Sequence, residues 1–417
     1  MSNATATIGR WHGAGLMATT LLGTGVFILP QITVEIAGAG SLWAWILLTL
    51  AIIPVTLVFG RLAGKYPHAG GPAHFVELAF GSLAGRCIGL SFLMLIPIGS
   101  AAAILIAFKF FAVFFPVTGV GELLVQIGMI LLLLVLNIRG IHVSAKLQFV
   151  LTLVIVAVVL MLLISSGFEI PRYNLSNALQ QADFSAVMGA AGIAFWSFLG
   201  VEAMTHLATD FRNPKKDMLP AMMIGTVLVG IIYIACTYLL IVVPSTSALA
   251  IVDVFDQLVG GYGAQIIGTL GIASGLATVN VYTAGSSRLL CSFGRERVLP
   301  KYFDQLNQYQ VPVRALCAIL LAMLLAIVLT YLFGQQLEQL IAWTNGVFVV
   351  IYTATMLASF KLLSRKYLPI IILSCLFFAA IAISIGANML YAALILVLLC
   401  PALYWQKNHL HQQSRLV

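Results

Sequence analysis

Long apolar runs separated by short polar, mostly basic gaps fill this chain. A bilayer crossing needs about 20 apolar residues in a helix. Cutting the sequence at its charged and turn-rich gaps predicts twelve such spans. They lie near 11–37, 41–63, 85–114, 121–138, 145–168, 185–208, 219–243, 262–292, 313–333, 338–361, 367–386 and 388–405. The last two runs nearly touch, which predicts a tight hairpin. The fold class expected is therefore all-α and integral to a membrane, in one transmembrane domain over 1–417. Segment 169–184 reads as a polar connection, and 244–261 has room for a small surface or re-entrant helix.

Two spans carry interruptions. In the first, Leu21-Leu22-Gly23-Thr24-Gly25-Val26-Phe27 places two glycines inside an apolar run. Each costs about 1 kcal/mol against Ala in a helix interior. Backbone groups freed at membrane depth are tolerated only where they line a cavity or are buried in protein. A freed helix N-terminus carries partial positive charge and open N–H donors, which suits a carboxylate. The competing reading is close helix packing through small residues. In the sixth span, Phe195-Trp196-Ser197-Phe198-Leu199-Gly200-Val201-Glu202 is weakened by Ser197 and Gly200. Each weak point opens a block of five spans. An odd block reverses the orientation of the next, which gives inverted repeats, 11–168 and 185–361, followed by 367–405. Corresponding broken spans point to the binding site of a secondary transporter.

Composition removes other classes. Hydrophobic residues make up 61% and charged residues 8% of the 417, where a soluble domain carries about 25% charge. With the first polar segment placed in the cytoplasm, only Lys109 and Arg172 of the 21 Lys and Arg fall outside. That bias is the positive-inside pattern. The net charge of +8 is therefore topology, and no nucleic-acid partner is expected. Both termini are expected in the cytoplasm. Met1–Arg10 is polar, so no removable signal peptide is expected there. Cys87, Cys236, Cys291, Cys317, Cys375 and Cys400 sit in or beside apolar runs without metal spacing, and read as small hydrophobes. No phosphate loop, HExxH or Ser/His/Asp constellation stands in the sequence, which argues against an ATP-driven pump and an enzyme.

The resemblance becomes specific when four motifs are taken together. Gly23-Thr24-Gly25-Val26-Phe27, Tyr66-Pro67-His68-Ala69-Gly70-Gly71, Phe195 to Glu202, and Arg212-Asn213-Pro214-Lys215 stand in the order and spacing of the amino acid–polyamine–organocation (APC) superfamily. Their length and tail resemble bacterial exporters of L-methionine and branched-chain amino acids. The sixth-span segment also resembles arginine/agmatine antiporters. The resemblance implies a LeuT-type bundle of two inverted five-span repeats plus two peripheral helices. It implies that the first break, with Gly23 in it, presents the backbone N–H groups of Thr24 and Gly25 and the Thr24 hydroxyl to the substrate carboxylate. Carbonyls near Leu21 and around Trp196, Ser197, Phe198, Leu199 and Gly200 would accept from the substrate ammonium. Trp196 would form an aromatic wall, or else a packed helix interface. Spans three and eight offer Ile98, Gly99, Ala102, Asn280 and Tyr282 to the pocket, with plain helix packing as the competing reading for each. One departure stands out. Some proton-coupled relatives carry a lysine mid-way along span five, where Thr152-Leu153-Val154-Ile155 has none, and Lys146 lies near the span's end.

Glu202 is the one acid set well inside a span. An intramembrane carboxylate is costly and functional by default. Glu202 is the candidate for proton coupling, with His206 one helical turn on to share the proton. The alternative is that Glu202 only satisfies backbone freed by the break. No metal and no cofactor is expected, since Glu202 and His206 lack a third ligand at suitable spacing. The remaining histidines, at 12, 68, 74, 142, 409 and 411, read as solvated. The function expected is alternating-access efflux of neutral apolar L-amino acids (methionine, leucine, isoleucine and valine), linked to protons, in the bacterial inner membrane. A monomer or homodimer is expected. A cationic amino acid or polyamine antiporter, and a non-transporting amino acid sensor on the same fold, are the alternatives.

Overall fold

The computed structural model describes residues 8–139, 145–167, 180, 182–243, 245 and 247–413, with only the backbone for 145–148 and 407–413. Most of the connection 169–184, Lys146's side chain, and His142, His409 and His411 lie outside the described side chains. The described residues are almost wholly helical. Nine helical stretches among them are long and apolar enough to cross a membrane, and Phe149–Ser165 is a shorter apolar helix. The protein is an all-α, multi-pass membrane protein.

The first predicted span is two helices, α1 (Arg10–Leu22) and α2 (Leu29–Ala37). At Gly23 the backbone leaves the helical region. Gly25 and Val26 N–H both donate to the Leu22 carbonyl, and Ile28 and Leu29 N–H donate to that of Gly25. Pro30 in the first turn of α2 suits a helix start, where its missing N–H costs nothing. The sixth span is divided as well. Helix α8 (Phe184–Ala194) is capped by Asp183, which accepts from Ala186 N–H at 2.9 Å. It tightens into a 3₁₀ turn over Phe195–Phe198, and α9 (Val201–His206) follows. Between them Gly200 sits at φ +123°, a conformation L side chains rarely adopt.

The order between is α3 (Ser41–Lys65), α4 (Gly71–Phe80), α5 (Ser82–Ala112), α6 (Val120–Ile138) and α7 (Ala145–Ser165). After α9 come α10 (Pro214–Val242), α11 (Ala250–Val259), α12 (Thr269–Arg295), α13 (Val313–Phe333), α14 (Leu337–Leu362), α15 (Leu368–Ile385) and α16 (Met389–Gln413). Helix α11 occupies the connection where a small helix had room. A short turn at Gly386, φ +59°, separates α15 from α16.

Two groups of helices face each other. In one, α1 packs on α9 and α10, α2 on α8, and α10 on α3. The first half of one broken span thus lies beside the second half of the other. Small residues allow the approach: a Cβ on Gly60 of α3 would lie 3.0 Å from Leu219 Cα of α10. Trp45 stacks on Tyr233 with ring centres 4.4 Å apart, and its indole N–H donates to Thr33. In the other group, α12, α13 and α14 all pack on α5, and α13 on α6. Helix α15 lies against α14 and α3, and α16 against α5 and α14.

Candidate functional site

A cavity opens where the two interruptions meet the facing group. Thr20, Leu21 and Thr24 come from α1 and its break, and Trp196 and Leu199 from the second break. Helix α5 adds Leu95, Ile96, Gly99, Ser100 and Ala103, a 3–4 residue repeat that is one helix face. Thr278, Val279 and Tyr282 of α12 and Thr344 and Phe348 of α14 close it. The lining offers hydroxyls and apolar carbon, and no charged side chain.

The two breaks are tied together at this point. Trp196 Nε1–H donates to Thr24 Oγ1 at 3.2 Å. That bond fixes the indole across the cavity and holds the hydroxyl of the first break toward the second. Thr20, one turn below, donates to the Leu16 carbonyl, as Ser and Thr do within helices.

Of the residues expected from sequence, Leu21, Thr24, Trp196, Leu199, Tyr282 and Gly99 line the cavity. Others lie elsewhere, for identifiable reasons. Gly25 N–H is already bonded to the Leu22 carbonyl, and an added Cβ there would meet Leu29 and Tyr233. Gly25 therefore packs away from the cavity. The Leu21 carbonyl is already taken by the Tyr233 hydroxyl at 3.3 Å. Gly23 faces a second cavity between α1, α7 and α12, which shares Thr20, Thr278 and Tyr282 with the first. There Thr152 Oγ1, in the departing span-five segment, donates to Thr19 Oγ1 at 2.7 Å. Ser197 and Phe198 are buried behind the lining. Gly200 is a backbone requirement: besides its φ, a Cβ would stand 2.7 Å from Thr20 Cγ2. Asn280 pairs with Asn137 of α6 at 2.5 Å, on the far side of α12 from the cavity. Ile98 and Ala102 are likewise outside the lining.

Glu202 is fully buried in the first turn of α9, two residues past Gly200. Its carboxylate accepts from Gly200 N–H at 2.8 Å, from the Tyr282 hydroxyl at 3.3 Å and from the Tyr352 hydroxyl. Tyr282 lines both cavities, so one hydroxyl separates the acid from the open space. Tyr352 is set among Phe59, Phe195, Phe348 and Phe378. The structure does not bring His206 to the acid. His206 Nδ1–H donates to the Ala69 carbonyl at 2.6 Å, and the ring packs on Gly71. The side-chain partners of Glu202 are the two tyrosines. Tyr282 was expected from sequence in the pocket but not at the acid, and Tyr352 was not expected at all. The bond from Gly200 N–H is the contact with freed backbone that the alternative reading described. Among the described residues, no group of three or more His, Cys, Asp or Glu could hold a metal ion.

A family model described as amino acid permease matches residues 8–416, nearly the whole chain. The chain belongs to the amino acid permease family. This permease is 33% identical over 401 residues to the L-methionine/branched-chain amino acid exporter YjeH of Escherichia coli K12, covering 95% of this chain and 96% of that one. It is 27% identical to the amino acid permease YecA of Bacillus subtilis 168, over 85% of each chain. It is also similar, at 24% identity over 97% of this chain and 96% of the relative, to a cadaverine/lysine antiporter of E. coli. The permease is a transporter, as the resemblance of its motifs implied.

Two signals for the missed lining residues were present in the sequence. Leu95, Ile96, Ser100 and Ala103 share one helical stripe with the expected Gly99, and Thr344 and Phe348 stand one turn apart. Neither shows from sequence which way its helix is rotated, so neither identified the cavity face.

Proposed function

We propose that this permease exports neutral apolar L-amino acids, with methionine, leucine, isoleucine and valine as substrates, by alternating access coupled to protons. The observation carrying the reading is the lining of the main cavity: hydroxyls and apolar side chains where two broken helices meet, with no charged side chain. A zwitterion brings its own two charges, which helix ends and freed backbone at the breaks can match without an ion pair. Thr24, through its hydroxyl and its backbone at the first break, serves the carboxylate. The backbone around Leu199 serves the ammonium, with Trp196 as the aromatic wall. Leu95, Ile96, Gly99, Thr344 and Phe348 receive the side chain.

Glu202 serves as the proton carrier in this reading. Its carboxylate is committed to Gly200, Tyr282 and Tyr352 and lies outside the lining, so it does not offer a counter-charge to a cationic substrate side chain. That disfavours lysine or a polyamine as substrate, despite the similarity to a cadaverine/lysine antiporter. The architecture in this reading is two inverted five-span repeats, 11–168 and 185–361, plus 367–405, in a bacterial inner membrane with both termini cytoplasmic. The export direction is supported by the similarity to YjeH.

Flux of labelled methionine, leucine and lysine in proteoliposomes, with an imposed pH gradient, tests it. Methionine and leucine should move and respond to the gradient, and sodium should make no difference. Preferential movement of lysine or cadaverine would overturn the substrate assignment. Binding without flux would identify a sensor.

A further inference from the structure

We propose that the ends of α3 and α14 and the start of α15 form a binding site for the headgroup of an anionic phospholipid. Five cations from two distant stretches converge there: Arg61 and Lys65 of α3, with Lys361, Arg365 and Lys366 at the α14–α15 junction. All five are exposed. Arg61 and Lys366 both stand over the ring of Tyr367, at 5.6 and 5.2 Å from its centre. Lys361 lies over Phe80, 4.5 Å from the ring centre, and donates to the Ala79 carbonyl at 3.1 Å. Lys65 donates to the Leu362 carbonyl at 2.7 Å. None of the five has an acidic partner among the described residues. Glu77 of α4 packs against Gly85 of α5.

The positive-inside bias requires cations on one side of the membrane. It does not require two distant stretches to bring five cations to one helix junction with none of them ion-paired among the described residues. Like charges brought to one junction repel, and an anion entering among them relieves that repulsion. The surroundings identify which anion. Beside the cations, Leu357, Phe360, Leu368 and Ile372 are exposed at 41–48%, on the apolar stretches of α14 and α15 that adjoin them. A free phosphate has no use for that surface, whereas a phospholipid lays its acyl chains there and its phosphate among the five cations. The aromatic rings hold the cations at the interface level.

The test uses the full-length protein in detergent, given equal amounts of phosphatidylglycerol and phosphatidylcholine with identical chains. Native mass spectrometry counts the lipid retained. The wild type should retain phosphatidylglycerol in preference. Arg61→Gln alone should reduce that preference about fivefold, the ratio matching ~1 kcal/mol per cation near an anionic surface. Combining R61Q, R365Q and K366Q should abolish it. A matched variant with K215Q, K216Q and K301Q removes as much charge elsewhere and should keep the preference. Equal retention of the two lipids by the wild type would overturn the proposal. So would an equal loss in the matched variant, or displacement of the lipid by inorganic phosphate at the lipid's own concentration. The three substituted side chains are exposed, so elution and melting in phosphatidylcholine should be unchanged. If the triple variant fails to fold, Arg61→Gln against Lys215→Gln decides the matter.

Discussion

Gly99→Ala should change which amino acids the permease carries. An alanine Cβ at 99 would stand 3.1 Å from Thr344 Cγ2, 3.5 Å from its hydroxyl and 3.9 Å from Leu95 Cδ1. Both Thr344 and Leu95 line the cavity, so the new methyl narrows the space between α5 and α14. The cavity holds about 60 Å³, so one methyl removes a sizeable part of it. The 3.1 Å contact asks Thr344 to move by a few tenths of an ångström. Its hydroxyl is anchored to the Leu340 carbonyl at 2.9 Å, which limits that movement. Stability should hold, because Gly to Ala in a helix gains roughly 0.5–1 kcal/mol, enough to offset a modest strain. Transport should not hold uniformly. One methylene in an apolar pocket is worth about 1–3 kcal/mol, or 10–200-fold in specificity. Methionine and leucine flux should fall by at least about tenfold relative to valine, with the melting temperature unchanged or raised. Competition for labelled valine efflux from proteoliposomes, by a series from alanine to methionine, measures the ratio. Thr344→Ala in the same chain should restore the larger substrates. An equal fall for every substrate, or an unchanged ranking in a folded variant, would refute the placement of the side-chain pocket between α5 and α14.

Three further outcomes follow from the same geometry. Glu202→Gln keeps an acceptor for Gly200 N–H and the shape of the tyrosine contacts but cannot load a proton, so the pH dependence of net flux should flatten while exchange persists; normal proton-driven accumulation in that variant would make Glu202 structural. His74 of α4 is held below the usual histidine range by burial first and by the stacked His68 (3.9 Å between ring centres) second, against a smaller opposing effect of Glu77. Folding therefore favours its neutral form, and that stability is present above about pH 6.5 and lost as the pH falls below it. His74→Gln should melt with less acid sensitivity between pH 7.5 and 5.5 than the wild type, and identical acid sensitivity would dismiss this role. Cysteines introduced at Asp253 of α11 and at Arg365 should differ in labelling by an impermeant thiol reagent on intact cells, with only the first reacting; equal labelling would falsify the twelve-span topology.

The sequence alone determined that this is a helical membrane protein. Apolar runs of bilayer length leave a chain no other way to satisfy its backbone, and that property is local. The positions of both helix breaks were also legible, because Gly23, Gly25 and Gly200 are costly in a helix wherever the helix sits. The family followed from motifs in order along the chain. What the tertiary structure decided is which side of each break faces the cavity. Helices that are apolar all round carry no rotational signal, so Thr24 and Trp196 could not be distinguished in sequence from Gly25 and Phe198. Asn280 looked like a pocket residue until α6 supplied Asn137 for it. His206, one turn from Glu202, was a reasonable partner along the helix. Folding instead brought Tyr282 and Tyr352 to the acid, from 80 and 150 residues away, and gave the histidine to the Ala69 carbonyl. Spacing along a chain fixes neighbours on one helix, but only packing fixes neighbours between helices, and the site and the cationic cluster at Tyr367 are both built between helices.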